Sequence, residues 1–177
     1  MVFNVITPSQ KNRLTKSRIK TLLIVFFDSK GLIHREFVPA ATTVNAEYYE
    51  GVLKRLLLRI CRIRPQYRNE RWNLPHENAR PHTAIRVTQF LARHQVTVLD
   101  HPPYSLDLAP ADFFLFPPPP SKGVLKGQRF SDITQIQQRV TTVLRAIPKE
   151  AFADSFQQLY TRCQKCIVAN GEYFEVQ

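Results

Sequence analysis

The chain has 177 residues, 44% hydrophobic and 22% charged, enough for one domain with a real core. With 25 Lys+Arg against 14 Asp+Glu it carries a formal charge of +11, so a polyanionic partner is expected. Composition argues against three classes. The longest apolar run, Leu22 to Phe27, falls far short of the ~20 residues a bilayer crossing needs. No charged-then-apolar leader opens the sequence, and Cys61, Cys163 and Cys166 are too few and odd in number for a disulfide framework.

Along the chain, "NRLTKSRIK" comes first, with Arg13, Lys16, Arg18 and Lys20 and no acid nearby. It predicts an extended basic arm over residues 1–19, ahead of a folded unit at 20–177. "TLLIVFFD" is too continuously apolar to be half exposed and predicts a buried strand. "DSKG" at 28–31 turns the chain into the alternating "LIHREFV", which makes a hairpin. Tyr49, Val52, Leu53, Leu56, Leu57 and Ile60 recur at three and four residues, an amphipathic helix that Pro65 ends. The opposite face of that helix carries Lys54, Arg55, Arg59 and Arg62.

"WNL" at 72–74 is a short strand candidate, followed by a helix from about Thr83 to His94 with Val87, Phe90 and Leu91 inward. "VTVL" at 96–99 is the next strand and runs into the proline-punctuated "DHPPYSLDLAPAD". After "PPPP" at 117–120, Ser131 can cap a helix that turns Ile133, Ile136, Val140, Val143 and Leu144 inward. A last helix spans roughly Lys149 to Ala169, stopped by Asn170-Gly171. Cys163 and Cys166 lie inside that helical pattern without a second ligand pair, so they read as a helix face. The order ββαβαβαα predicts a mixed α/β domain with helices covering a sheet.

"PHENARPHTA" at 75–84 places His76, Glu77 and Asn78 at the end of an apolar stretch, with His82 close behind. Such groups are costly to bury without partners, so their clustering at an element boundary suggests a site. On this stretch alone a polar loop, turned by its Asn and Pro, is the simpler reading. A second carboxylate sharpens the question. Glu77 follows one predicted strand and Asp112 the next, and neighbouring strands would bring together the oxygens that hard divalent cations require. Two-metal phosphoryl-transfer sites are built from such carboxylates.

"HENARPHTA", "LDHPPYSLDLAPADFFLFP" and "LKGQRFSD" together resemble the catalytic domain of mariner-family DNA transposases, of the Tc1/mariner superfamily. That family shows HDN-A-x-x-H, then HPPYSPDLAP-x-D, with thirty-four residues between its second and third catalytic aspartates. Here 112 − 77 = 35, so thirty-four intervene as well. "KTLLIVFFDSKGLIHREFVP", "TVNAEYY" and "CIVANGEYFE" extend the likeness over almost the whole chain.

The resemblance implies a ribonuclease-H-like fold: five strands in the order 3-2-1-4-5, with acids on strands 1 and 4 and after strand 5. It implies metal-dependent DNA cleavage and transfer with Mg²⁺ or Mn²⁺, DNA as partner, action as a homodimer, a nuclear location and no membrane. Glu77 matches the second catalytic aspartate and Asp112 the third, both as metal ligands. Asp107 matches a structural aspartate, His76 and Asn78 match positioning neighbours, and His82 matches a brace for the second helix.

The family's first catalytic aspartate stands upstream of the segment matched by residues 7–20, and the DNA-reading helix-turn-helix region is also without a counterpart. Asp28 matches only a turn residue. The first, central strand is therefore expected to be missing, leaving strands 2 and 4 with open edges, unless "MVFNVI" at 1–6 fills the gap. Four departures accompany this. Glu77 stands for Asp, Leu106 for Pro, "FPPPPSKG" should stop the helix of Asp112 at Phe116, and Asn73 and Pro75 should interrupt a central strand. The expectation is an inactive transposase fragment. It would bind nucleic acid through Arg13, Lys16, Arg18, Lys20, Lys54, Arg55 and Arg59, holding its metal weakly. The alternatives are an active transposase whose upstream part is not included here, and a non-catalytic dimerisation or partner-binding remnant.

Overall fold

The computed structural model describes the backbone of residues 3–8 and, in full, residues 21–68, 70–102, 105–115, 130 and 132–170. At its centre is β2, Leu22–Asp28, a run of β-branched and aromatic residues buried on both faces. Alternation along it sends Ile24 and Phe26 to one side and Leu23, Val25 and Phe27 to the other, and each set seeds a separate core. β3 (Gly31–Val38) returns antiparallel to β2 through a tight turn in which Gly31 takes a φ of 119°, a conformation costly for any residue with a Cβ.

On the first face lies α1, Ala46–Ile63. Its N-cap is Asn45, whose side chain accepts from the Tyr48 N–H at 2.9 Å. The stripe Tyr49, Val52, Leu53, Leu56 and Ile60 packs on Ile24 and Phe26, and Arg64 closes the helix immediately before Pro65. β4 (Asn73–His76) and β5 (Thr97–Asp100) then pair in parallel, Leu74 opposite Val98 and His76 opposite Asp100. Between them the helix expected from about Thr83 to His94 is α3 (Ile85–Arg93), preceded by a separate short turn of helix, α2 (Arg80–Thr83), across the extended backbone of Ala84. Val87, Phe90 and Leu91 face inward as the periodicity predicted.

The second face is covered by a π-helical turn at Ala111–Leu115, by α4 (Ile133–Ala146) and by α5 (Lys149–Val168). α4 is capped by Asp132, which accepts from the Gln135 N–H at 2.8 Å, and not by the expected Ser131, which lies outside the described residues. α5 ends where Asn170 adopts a left-handed φ of 51°. Its Cys163 packs against the second core, in keeping with the reading of the cysteine pair as a helix face.

One finding changes the expected topology. Phe3–Pro8, within the span predicted to be a basic arm, is a strand: β1 runs antiparallel to β2 from Phe3 opposite Phe27 to Pro8 opposite Leu22. β1 also lies beside β4 and the turn at Ala111–Leu115. The place of the central strand is therefore filled, in the order β3-β2-β1 followed by β4-β5. A backbone seam nonetheless divides β1 from β4, because the ladders form a three-stranded and a two-stranded sheet. Pro75 bears on this seam. The Thr97 N–H donates to the Trp72 carbonyl, so peptide groups of residues 72, 74 and 76 point to β5 and those of 73 and 75 point to β1. At 75 there is no N–H to give. The sequence suggested that Asn73 and Pro75 would interrupt β4; they do not, and Pro75 instead withholds a donor on the side that faces β1.

Candidate metal site and nucleic-acid surfaces

β4 ends at His76, and Glu77 leaves its tip half-buried. Asp112 comes from the π-helical turn, at whose start the Asp112 and Phe113 N–H groups both donate to the Ala109 carbonyl. Turns of this type are rare and concentrate at functional sites. Burial raises the Glu77 carboxyl above its ordinary range, and the charge of Asp112 raises it further. Asp112 is itself raised by burial, with His101, at the exit of β5, acting in the opposite direction. The two carboxylates are therefore close enough to repel, in surroundings that favour a cation between them. Hard oxygen donors of this kind fit Mg²⁺ or Mn²⁺, and Glu77 and Asp112 are the residues that would hold it. Among the described residues no third His, Cys, Asp or Glu completes a metal-binding group with them. The strand in the central position reads FNVITP and contains no acid.

Beneath Glu77 lies a buried aromatic stack. The His76 and His82 rings stack with centroids 4.8 Å apart, and His82 lies 4.4 Å from the Tyr49 ring. His76 Nε2 and the Tyr49 hydroxyl share a hydrogen bond of 3.0 Å. His82 Nδ1 donates to the main-chain carbonyl of Glu77 at 3.3 Å, which fixes the proton on that nitrogen and pins the residue carrying the carboxylate. Burial drives His76 down to about 3, helped by His82, and drives His82 down to about 4. Both rings are thus neutral near pH 7 and position Glu77 from below. Asn78, by contrast, is exposed.

Asp107 contributes its carbonyl, which accepts from Arg162 of α5 at 3.1 Å. The same guanidinium lies 4.1 Å from the centroid of the Phe113 ring, next to Asp112, so α5 clamps the acidic turn from behind. Tyr49, His101 and Arg162 were not singled out by the sequence. Tyr49 looked like one more core position of α1, and Arg162 like one more cation on a helix. Asp28 is structural, as expected: it is fully buried and held by Arg64 through two hydrogen bonds, at 2.8 and 3.0 Å, and by the Lys30 N–H.

The expected nucleic-acid residues divide into three groups. Arg13, Lys16, Arg18 and Lys20 lie outside the described residues, as do the prolines 117–120 and Phe116. Lys54 is paired with Glu50 at 2.7 Å, and Arg86 holds the same carboxylate. Arg55 grips Glu36 through Nε at 3.0 Å and through Nη2. These pairings spend on the chain's own acids the charge that was expected to face a polyanion. Arg59 is different: it lines a groove with Arg35, Arg62 and Arg145.

A mixed sheet in this order, helices on both faces, and an acidic pair at the exit of β4 and just past β5 define a ribonuclease-H-like domain. Residues 4–70 match the family model described as transposase, partial DDE domain. The chain is 34% identical over 170 residues to the mariner Mos1 transposase of Drosophila mauritiana, and 30% identical over 157 residues to the histone-lysine N-methyltransferase SETMAR of Homo sapiens. It covers 48% and 23% of those relatives respectively, so it spans about half their length or less. The crystal structure of the Mos1 catalytic domain superposes with a TM-score of 0.86 at 33% identity, covering 98% of this chain and 83% of that one. The Mos1 catalytic domain with raltegravir and Mn gives 0.85 at 33% identity, over 98% and 84%. The Mos1 paired-end complex with Mn gives 0.84 at 30% identity, over 98% and 56%. The chain belongs to the mariner family of transposases and corresponds to part of their catalytic domain. Among the described residues no helix is long and apolar enough to cross a membrane.

Proposed function

We propose that these residues form a DNA-binding transposase catalytic domain that holds one divalent cation through Glu77 and Asp112 and does not cut or join DNA strands. The observation that carries the reading is the acidic pair itself. Two half-buried carboxylates, each raised by burial and Glu77 further by Asp112, come from elements that neighbour β1, a strand whose sequence FNVITP carries no acid. A bound Mg²⁺ or Mn²⁺ would neutralise their repulsion and present a Lewis acid to a phosphate oxygen.

Clamping both the attacking and the leaving oxygens takes two ions ~4 Å apart, and two carboxylates supply too few oxygens to keep such a pair in register. Glu77 weakens the arrangement further. Its extra methylene displaces the oxygens by roughly 1.5 Å from where an Asp would put them, and ~1 Å of misplacement can cost ~100-fold in rate. His82 and Tyr49 hold the backbone under Glu77 but cannot shorten its side chain. Phosphate contact would come from the domain's basic surface, in keeping with the formal charge of +11, and DNA as the partner implies the nucleus as the compartment.

The test is incubation of the purified chain with supercoiled plasmid and Mg²⁺ or Mn²⁺, beside the Glu77→Gln, Asp112→Asn double variant. The expected outcome is no nicked or linear product from either protein, with Mn²⁺ binding detected by calorimetry in the native chain and lost in the variant. Nicking by the native chain that disappears in the variant overturns the proposal.

A further inference from the structure

The strongest feature that the acidic site does not absorb lies at the other end of the sheet. β3 is an edge strand: it pairs with β2 and its outer side has no partner strand among the described residues. A groove of about 600 Å³ opens along this edge. On one flank, α1 contributes Arg55, Arg59 and Arg62, spaced four and three residues apart and so aligned in one stripe. On the other, Arg145 sits in the last turn of α4, where the helix dipole favours a cation. Arg35 stands between them on β3, opposite Val25 and hence on the same face as α4.

These charges differ from the rest of the basic surface. Arg55 is taken up by Glu36, but among the described residues no carboxylate lies within ion-pair distance of Arg35, Arg59, Arg62 or Arg145. Arg35 is pushed below its ordinary range by burial and by the neighbouring charges of Arg145 and Arg59. Three elements thus hold like charges near one another.

We infer that the arginine groove formed by Arg35, Arg59, Arg62 and Arg145 at the β3 edge is a phosphate-backbone site for duplex DNA, separate from the acidic site. Between β3 and β4 lie two strands, and at ~4.8 Å per strand the groove sits roughly 14 Å or more from Glu77. A duplex bound here would be gripped without being presented for cleavage. Guanidinium forks suit phosphate oxygens bidentately, and contacts to phosphate carry no sequence information, so recognition would be independent of sequence. The inference shares with the proposed function only the choice of DNA as ligand.

The test measures binding of the full chain to a fluorescent random-sequence duplex, by anisotropy, over a range of salt concentrations. Arg59→Ala, Arg62→Ala, Arg145→Ala is the groove variant. Arg93→Ala, Lys149→Ala, Lys165→Ala removes the same charge from exposed positions elsewhere. Each phosphate contact contributes ~0.9 to the slope of log affinity against log salt, so the groove variant should lose ~2.7 of slope and bind about tenfold or more weakly, while the control stays near the native chain. Equal losses in both variants would mean that net charge alone attracts DNA, and the inference falls. Native-like binding by the groove variant also overturns it, while leaving the proposed function standing on another face of the domain. A native chain that binds no duplex overturns both, and one that binds polyglutamate as tightly as DNA assigns the groove to an acidic polypeptide instead.

Discussion

Tyr49, His76 and His82 hold Glu77 from beneath, and their chemistry makes the domain sensitive to acid. Both histidines have folded-state values, about 3 and about 4, below the 6.5 of the unfolded chain. Below pH 6.5 the unfolded state therefore takes up protons that the folded state refuses. Stability from this pair is complete above that pH and is lost as pH falls towards 4, at up to ~2.7 kcal/mol per unit for two groups. Urea midpoints measured at pH 7, 6 and 5 should fall steadily. His82→Phe should remove about half of the dependence, by taking away one of the two titrating rings. A slope identical in the variant and the native chain would show that other groups control acid unfolding.

At the scale of elements, Pro75 leaves β1 and β4 side by side without a ladder between them. Pro75→Val would return an N–H on the side facing β1, worth ~0.5–1.5 kcal/mol if the bond forms. It would also free the unfolded chain by ~0.4–1 kcal/mol, so the two effects nearly cancel in overall stability. The readout is local: amide exchange over residues 3–8 should slow several-fold while Tm changes little. Unchanged exchange there would mean that something other than the missing donor keeps the strands apart.

For the whole molecule, the tie between Asp28 and Arg64 joins the end of β2 to the end of α1 across the first core. The Asp28 side chain is 1% exposed and the Arg64 side chain 15%, so removing the arginine strands a buried carboxylate. Such losses run to roughly 3–5 kcal/mol. Arg64→Ala should therefore lower Tm by on the order of 10 °C, at ~2–4 °C per kcal/mol for a domain of this size. Asp28→Asn should cost less, because the amide is neutral and still offers an oxygen to Arg64. A larger loss in Asp28→Asn would contradict this reading of the pair.

Periodicity and turn residues by themselves determined the hairpin at β2 and β3, the stripe of α1 and the two C-terminal helices, while the family was legible through the resemblance of its motifs. Each of these is written in local order: alternation, three-and-four spacing, turn residues, or an unbroken motif. Glu77 and Asp112 could be named from motif spacing, and their proximity follows from parallel neighbours β4 and β5. What local order cannot carry is the pairing of distant segments. The filling of the central position by Phe3–Pro8 depends on an edge of β2 twenty residues later, and the apolar letters of "MVFNVI" suggested it without deciding it. Tyr49 under His76, Arg162 behind Asp112, and Arg55 and Lys54 consumed by Glu36 and Glu50 are likewise settled only when elements pack. A basic residue shows its charge in the sequence; whether that charge is free depends on which acid the fold sets beside it.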